Sequence, residues 1–289
     1  MKALVFGSMN IDCVYQQDHI VRPGETLAST GFQRNAGGKG LNQAIALARA
    51  GMDVWFAGAI GQDGLFLKET LEKDGVHTEY IRTGETPTGC AIIQVDAEGQ
   101  NAIVLFGGAN QAVPEEQITE TLKHFGPGDL LLMQNEISCG EALLRAARAA
   151  GMTVAVNPSP ISPELKTWPL EKADWLILNE IEGAALGGDG TPEEMLAALE
   201  KRYPGARIVL TLGGDGSIAR DGGKTVRQGI VSVPVTDTTA AGDTFTGYFL
   251  QHVMTGGSVT DALARAAKAA AIAVSRPGAG ASIPLKEEV

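Results

Sequence analysis

The run Asp237-Thr-Thr-Ala-Ala-Gly-Asp243-Thr244 sets three small residues directly before an aspartate, where an apolar helix begins with Phe245, Tyr248, Phe249 and Val253. Amide groups at a helix N-terminus have no intrahelical partner, and the helix dipole favours negative charge there. Ala240, Ala241 and Gly242 carry no bulk that would keep an anion from those amides. A phosphate held in this turn would repel Asp243, which is therefore better suited to accept a proton from a hydroxyl attacking that phosphate. The same residues also suit a plain N-cap, the commoner meaning of aspartate-threonine at a helix start. Taken alone, the segment leaves both readings open.

Other chemistry-bearing groups are spread along the chain. Asn10 and Asp12 follow the first apolar run in Gly-Ser-Met-Asn-Ile-Asp. Two residues apart in an extended segment, they point to the same side and can offer donor and acceptor groups to vicinal hydroxyls, or serve as ordinary turn residues. Gly37-Gly38-Lys39-Gly40 with Asn42 opens a helix, so a ligand could approach the backbone closely beside a cation. The spacing is not that of a Walker P-loop, because Leu41 stands where a magnesium-binding hydroxyl is required. Thr211-Leu-Gly-Gly-Asp-Gly216 is a second glycine-rich turn. Asn179-Glu-Ile-Glu182 reads as a capped helix start, or as an amide and a carboxylate facing a metal–phosphate complex. Arg276-Pro-Gly-Ala-Gly-Ala-Ser282 is a helix-stop loop whose free carbonyls, with one carboxylate and one hydroxyl, would suit a hard monovalent cation.

The elements that must position these groups alternate. Strands are expected at 2–8, 53–60, 129–134, 152–156, 174–178 and 206–212. Helices are expected at 38–50, 63–74, 114–125, 140–150, 192–202, 243–254 and 259–275. The strands are apolar throughout, as in Leu130–Met133 and Trp175–Leu178, which is the pattern of a parallel sheet covered on both faces. Residues 10–36 carry no helix pattern, and residues 87–106 read as a hairpin turning at Glu98-Gly99. Together they suggest a small accessory sheet, serving as a lid with an outer dimer surface or as a structural extension.

Composition narrows the function. At 289 residues the chain can bury a substantial core. A net charge of −11 argues against general binding to nucleic acid or anionic membrane, so a phosphate ligand would have to be held by local devices. Cys13, Cys90 and Cys139 are odd in number and scattered, which suits reduced thiols, and the four histidines show no zinc-ligand spacing. The opening Met-Lys-Ala-Leu-Val-Phe-Gly reads as a strand without a signal region, and no apolar run reaches membrane-spanning length, so a soluble cytoplasmic protein is expected.

In order and approximate spacing, these motifs resemble those of the ribokinase-like PfkB sugar kinase family, over essentially the whole chain. Asp237–Thr244 looks like that family's D-T-x-x-A-G-D-T block, Asn179 to Glu182 matches its N-x-x-E motif, and Gly37-Gly38-Lys39-Gly40 with Asn42 matches its glycine-rich signature. The resemblance implies a Rossmann-like α/β fold, with a central mostly parallel sheet flanked by helices and a small β-sheet lid. It implies one domain over 1–289, with the lid formed by roughly 10–36 and 87–106. The implied reaction is ATP-dependent phosphorylation of the 5-hydroxyl of ribose, with Asp243 as base and an anion hole at Ala240, Ala241 and Gly242.

The ribokinase pattern further implies that Asn10, Asp12, Gly38, Lys39, Asn42 and Glu136 hold the sugar. Asn179, Thr211, Gly213, Gly214, Gly216 and Gly242 would line the nucleotide site. Asp237, Thr239, Ala273, Arg276, Gly278 and Ser282 would surround potassium, and Glu182 would neighbour magnesium through water. Pro277 contributes no amide there but keeps its carbonyl. A homodimer through the β lid is implied by resemblance alone. Within the family, a deoxyribose, nucleoside or hexose kinase is the rival reading; outside it, the rival is a catalytically silent sugar-binding regulator.

Overall fold

A computed structural model describes residues 1–221 and 223–289. The chain opens with β1 (Ala3–Phe6), four fully buried apolar residues. Parallel partners flank it on both sides: β4 (Val54–Gly61) and β8 (Leu130–Gln134). Beyond β8 come β9 (Thr153–Asn157), β10 (Trp175–Asn179) and β11 (Arg207–Thr211), all parallel. Residues buried on both faces explain the unbroken Val, Leu and Ile runs in these strands.

Three strands lie outside the expected alternation. The parallel strand β5 (His77–Gly84) closes one edge beside β4, and β12 (Ser217–Asp221) and β13 (Lys224–Gln228) form an antiparallel hairpin at the other. β5 and β13 carry charged residues on an exposed face, and β12 has only Ile218 and Ala219 as an apolar run before Arg220, so none shows the continuous apolar signal of the core. The resulting order is β13-β12-β11-β10-β9-β8-β1-β4-β5.

Helices cover both faces. Those important for the site are α1 (Lys39–Arg49), α5 (Glu180–Gly187), α7 (Ala241–Met254) and α8 (Val259–Val274). The helix expected over 63–74 is α-helical only from Leu65 to Lys73, after a short tight turn at Gln62–Gly64, and that expected over 114–125 runs from Glu115 to Leu122. Tyr248, Phe249 and Leu250 of α7 are fully buried against Ile45 and Leu47 of α1 and Ala262, Leu263 and Ala266 of α8. This packing places the start of α7 beside the start of α1. Among the described residues, no helix is long and apolar enough to cross a membrane.

The accessory sheet is present. It has the order β3-β2-β6-β7, from β2 (Asn10–Gln16), β3 (Gly31–Gly37), β6 (Gly89–Val95) and β7 (Asn101–Phe106). The β6–β7 turn is closed at Asp96, whose carboxylate accepts the Glu98 and Gln100 amides, with Gly99 at φ 80. Phe32, Ile103, Val104, Leu105 and Phe106 stand exposed on this sheet.

Candidate active site

The strand ends of the large sheet carry the polar groups, because an α/β sheet offers its ligand crevice where neighbouring crossovers part. Asn157, Asn179 and Thr211 end β9, β10 and β11, and two adjoining clefts open there. The larger, about 520 Å³, is lined by Asn179, Thr211, Gly213, Gly214, Gly216 and Gly242 together with an apolar wall that includes Ile181, Val231 and Phe245. The smaller, about 260 Å³, is lined by polar groups including Lys39, Asn157, Glu182 and Asp243. Asn179, Thr211, Thr238, Ala241 and Gly242 belong to both, so the turn before α7 is the partition between them.

That turn is unusual. Ala240 sits at φ 61, the left-handed region that costs a side-chain-bearing residue about 1 kcal/mol or more.

 Ala240 caps α7 without a side-chain bond, the first intrahelical bond runs from the Thr244 amide to the Ala240 carbonyl at 2.8 Å, and the Ala241 amide leans on the Thr238 carbonyl at 3.3 Å. The amides of Gly242 and Asp243 therefore lie in the first turn with no i−4 partner. Asp243 does not cap the helix. Its side chain turns inward and is only 8% exposed.

Asp243 is held from α1. Asn42 donates its amide to Asp243 Oδ2 at 3.0 Å, and Gln43 donates to Oδ1 at 2.9 Å. α1 can reach this far because its first turn presses onto the end of β1. A methyl on Gly40 would lie 2.5 Å from the Ser8 nitrogen and 2.7 Å from the Gly7 carbonyl carbon, so only glycine allows that approach. Gly38, at φ 98, makes the bend from β3 into α1.

The expected sugar residues gather around Lys39. Glu136 accepts the Ser8 hydroxyl and the Lys39 amide, the latter at 3.3 Å. Asp12 folds over Gly37, where a methyl would lie 2.0 Å from its Oδ2. Asn10 Oδ1 accepts from Asn110 at 2.8 Å. Asn10, Asp12, Gly38, Asn42 and Glu136 line neither of the two clefts; they adjoin the smaller one through Lys39 and Asp243. Burial, and then the charge of Glu136, push the Asp12 carboxyl up to about 7. Burial also raises Glu136, against the Ser8 hydrogen bond and the charge of Lys39. For Lys39, burial acts to lower the pKa, but Asp243, Glu136 and Glu182 outweigh it and the net shift is upward.

Asn179 and Glu182 form a reciprocal capping box at the start of α5. The Glu182 amide donates to Asn179 Oδ1 at 2.9 Å, and Glu182 accepts the Asn179 backbone amide at 2.8 Å and its side-chain amide at 3.0 Å. Both also line the smaller cleft.

The segment before α7 packs on the loop after α8. Asp237 accepts the Thr239 amide at 2.9 Å, the Thr239 hydroxyl at 2.6 Å and the Gly278 amide at 3.0 Å, while its own amide donates to the Val274 carbonyl at 3.2 Å. Burial acts to raise its pKa, but the bonds from Thr239 and Gly278 prevail and hold it low. The Ala273 carbonyl accepts the Arg276 amide, the Arg276 side chain pairs with Glu288, and Ser282, buried, donates its hydroxyl to the Ala279 carbonyl. An ionised carboxylate among backbone carbonyls is a hard-oxygen donor set, which fits a potassium ion by chemistry. Glu182, a carboxylate lining the smaller cleft, likewise fits magnesium held through water.

Sequence reasoning missed Gln43, Gln134, Asn157, Asn110 and Ser8. Gln134 and Asn157 each end an apolar strand, and Gln43 follows Asn42 directly; a polar residue closing a buried strand was the available signal.

Known proteins resemble the chain along its length. A family model described as pfkB family carbohydrate kinase matches residues 1–286. A ribokinase of Haemophilus influenzae is 36% identical, covering 98% of this chain and 95% of its own. The structure of an Arabidopsis thaliana ribokinase complexed with ribose and ATP superposes with a TM-score of 0.88 at 33% identity, covering 99% of this chain and 96% of that one. A Cryptococcus neoformans ribokinase in complex with ADP gives 0.87 at 38% identity, covering 99% and 97%.

Proposed function

The chain belongs to the pfkB family of carbohydrate kinases, and we propose that it transfers the γ-phosphoryl group of ATP to the primary 5-hydroxyl of D-ribose, giving ribose 5-phosphate and ADP. One placement carries this function: Asp243 stands in the wall of the smaller cleft, one residue from Gly242, which that cleft shares with the larger one.

Asn10, Asp12, Gly38, Lys39, Asn42 and Glu136 hold the sugar. Asn42 Oδ1, buried and without a partner, can accept a sugar hydroxyl while its amide steadies Asp243. Asp243 takes the proton of the attacking hydroxyl, its carboxylate held in place for this by Asn42 and Gln43. The turn Ala240, Ala241 and Gly242 offers its amides to the transferring group, so charge that develops there meets preorganised donors. Asn179, Thr211, Gly213, Gly214 and Gly216 line the nucleotide's side, with the apolar wall of the larger cleft left for the base. Most of the acceleration in such transfers comes from positioning and charge stabilisation.

Magnesium would supply positive charge that offsets the charge of the phosphates, and Glu182 is the residue that would hold it through water. Asp237, Thr239, Ala273, Arg276, Gly278 and Ser282 would hold potassium, whose charge supports the shape of the neighbouring turn. Residues 1–289 act as one domain, the accessory sheet of 10–36 and 87–106 closes over the sugar, and its exposed apolar residues pair two copies into a homodimer. An ATP-consumption assay over ribose, deoxyribose, fructose and adenosine tests the substrate. Ribose should be turned over fastest; equal rates on ribose and adenosine would defeat the named substrate and spare the family.

A further inference from the structure

We propose that Gln43 is a positioning residue that holds the Asp243 carboxylate as a hydrogen-bond acceptor and fixes its direction, through a relay of amides that begins at a backbone carbonyl. The inference rests on reading Asp243 as the base.

Gln43 is 0% exposed and neighbours Asn42 on α1, so the two amides grip one carboxylate oxygen each. A side-chain amide can present either its NH2 or its oxygen, and the orientation of Gln43 follows from the far end of its contacts. The Ile177 carbonyl on β10 can only accept. Asn157 donates Nδ2 to it at 2.8 Å, which turns Asn157 Oδ1 towards Gln43, whose Nε2 donates to it at 3.0 Å. The same Nε2 donates to Asp243 Oδ1 at 2.9 Å. From the other side, Gln134 donates Nε2 to Gln43 Oε1 at 2.6 Å. With Gln43 reversed, its oxygen would oppose both Asn157 Oδ1 and the carboxylate, and two NH2 groups would face one another. Polarity fixed by the backbone thus passes through two amides and ends on Asp243 as an obligatory acceptor.

The charges facing Asp243 make this necessary. Lys39 on α1 attracts it, whereas Glu136 after β8 repels it, and Glu182 on α5 shares Lys39's charge. A buried carboxylate beside another tends to keep its proton, and donated hydrogen bonds are the counterweight.

The test is the pH profile of the single-turnover phosphoryl-transfer rate for Gln43→Met, which keeps the length and removes the donor. Its acid limb should move up by about one pH unit, so that the rate below that limb falls about tenfold relative to wild type. Asn157→Leu, which frees Gln43 to turn, should move the limb in the same direction by less. Profiles that superimpose on wild type after uniform scaling, or that shift downward, overturn the proposal. Should Gln43→Met fail to fold, as judged by thermal unfolding, Asn157→Leu carries the same test alone. Asp243→Asn measured alongside separates the two ideas: near-normal turnover there overturns the base reading and this inference with it, whereas an inactive Asp243→Asn with an unshifted Gln43→Met overturns only the role of Gln43.

Discussion

Asn42 and Asp243 stand 201 residues apart in the chain, and the amide of the first donates to Oδ2 of the second at 3.0 Å. The contact joins the first turn of α1 to the first turn of α7, so the group proposed to grip the sugar and the group proposed to take its proton are parts of one rigid unit. Rigidity of this kind is what turns a bimolecular proton transfer into a local one.

Two glycines of this unit should respond in opposite ways to alanine. Gly40→Ala places a methyl against the backbone of Ser8 and Gly7, and should cost about 1–3 kcal/mol of stability as α1 is pushed off β1. Gly242→Ala meets nothing within 4 Å and should leave stability level or slightly higher, yet its methyl stands in the partition between the clefts and should lower ATP turnover at least severalfold. Thermal unfolding paired with steady-state rates checks both.

Sugar affinity should depend on Asp12. Its carboxyl titrates near 7, so it is largely neutral at pH 6 and ionised at pH 8. Hydroxyl donors bind the ionised form more strongly, so KM for the sugar should fall as pH rises through 7. Asp12→Asn should flatten this dependence and raise KM on the order of tenfold. The same shift carries a stability sign. Because the folded value lies above the unfolded one, the contribution of Asp12 is present below about 4 and is lost as pH rises to about 7. The apo protein's unfolding temperature should therefore decline less over that range in Asp12→Asn than in wild type.

Potassium should act through Asp237. Wild-type turnover in potassium chloride should exceed that in tetramethylammonium chloride at equal ionic strength, and Asp237→Ala should abolish the difference. A thermal-shift titration with potassium gives a readout independent of activity: wild type should be stabilised and the variant should not.

How much of this was legible in the sequence follows burial. The core strands β1, β8, β10 and β11 announce themselves because their interiors are dry on both faces and all but their end residues are apolar. The strands β5, β12 and β13 do not, because β5 and β13 carry charges on an exposed face and the apolar run of β12 is only Ile218 and Ala219. In the site, Asp243 was visible as a carboxylate after three small residues, and the glycine-rich turns were visible as such. Its partners were not: Gln43 lies on a helix that could have turned it to solvent, and only the packing of Gly40 on Ser8 and of α7 on α1 buries it beside Asp243. Nor does composition say that Ala240, and not a glycine, occupies the left-handed position before α7.

The central claim, that Asp243 takes the proton of the attacking hydroxyl, is tested most directly by Asp243→Asn. The variant keeps the volume and the contact with Asn42 but removes the base. Sugar binding, followed by calorimetry, should remain measurable while single-turnover phosphoryl transfer falls by roughly a thousandfold or more. A variant that transfers phosphate at a near-wild-type rate would contradict the claim.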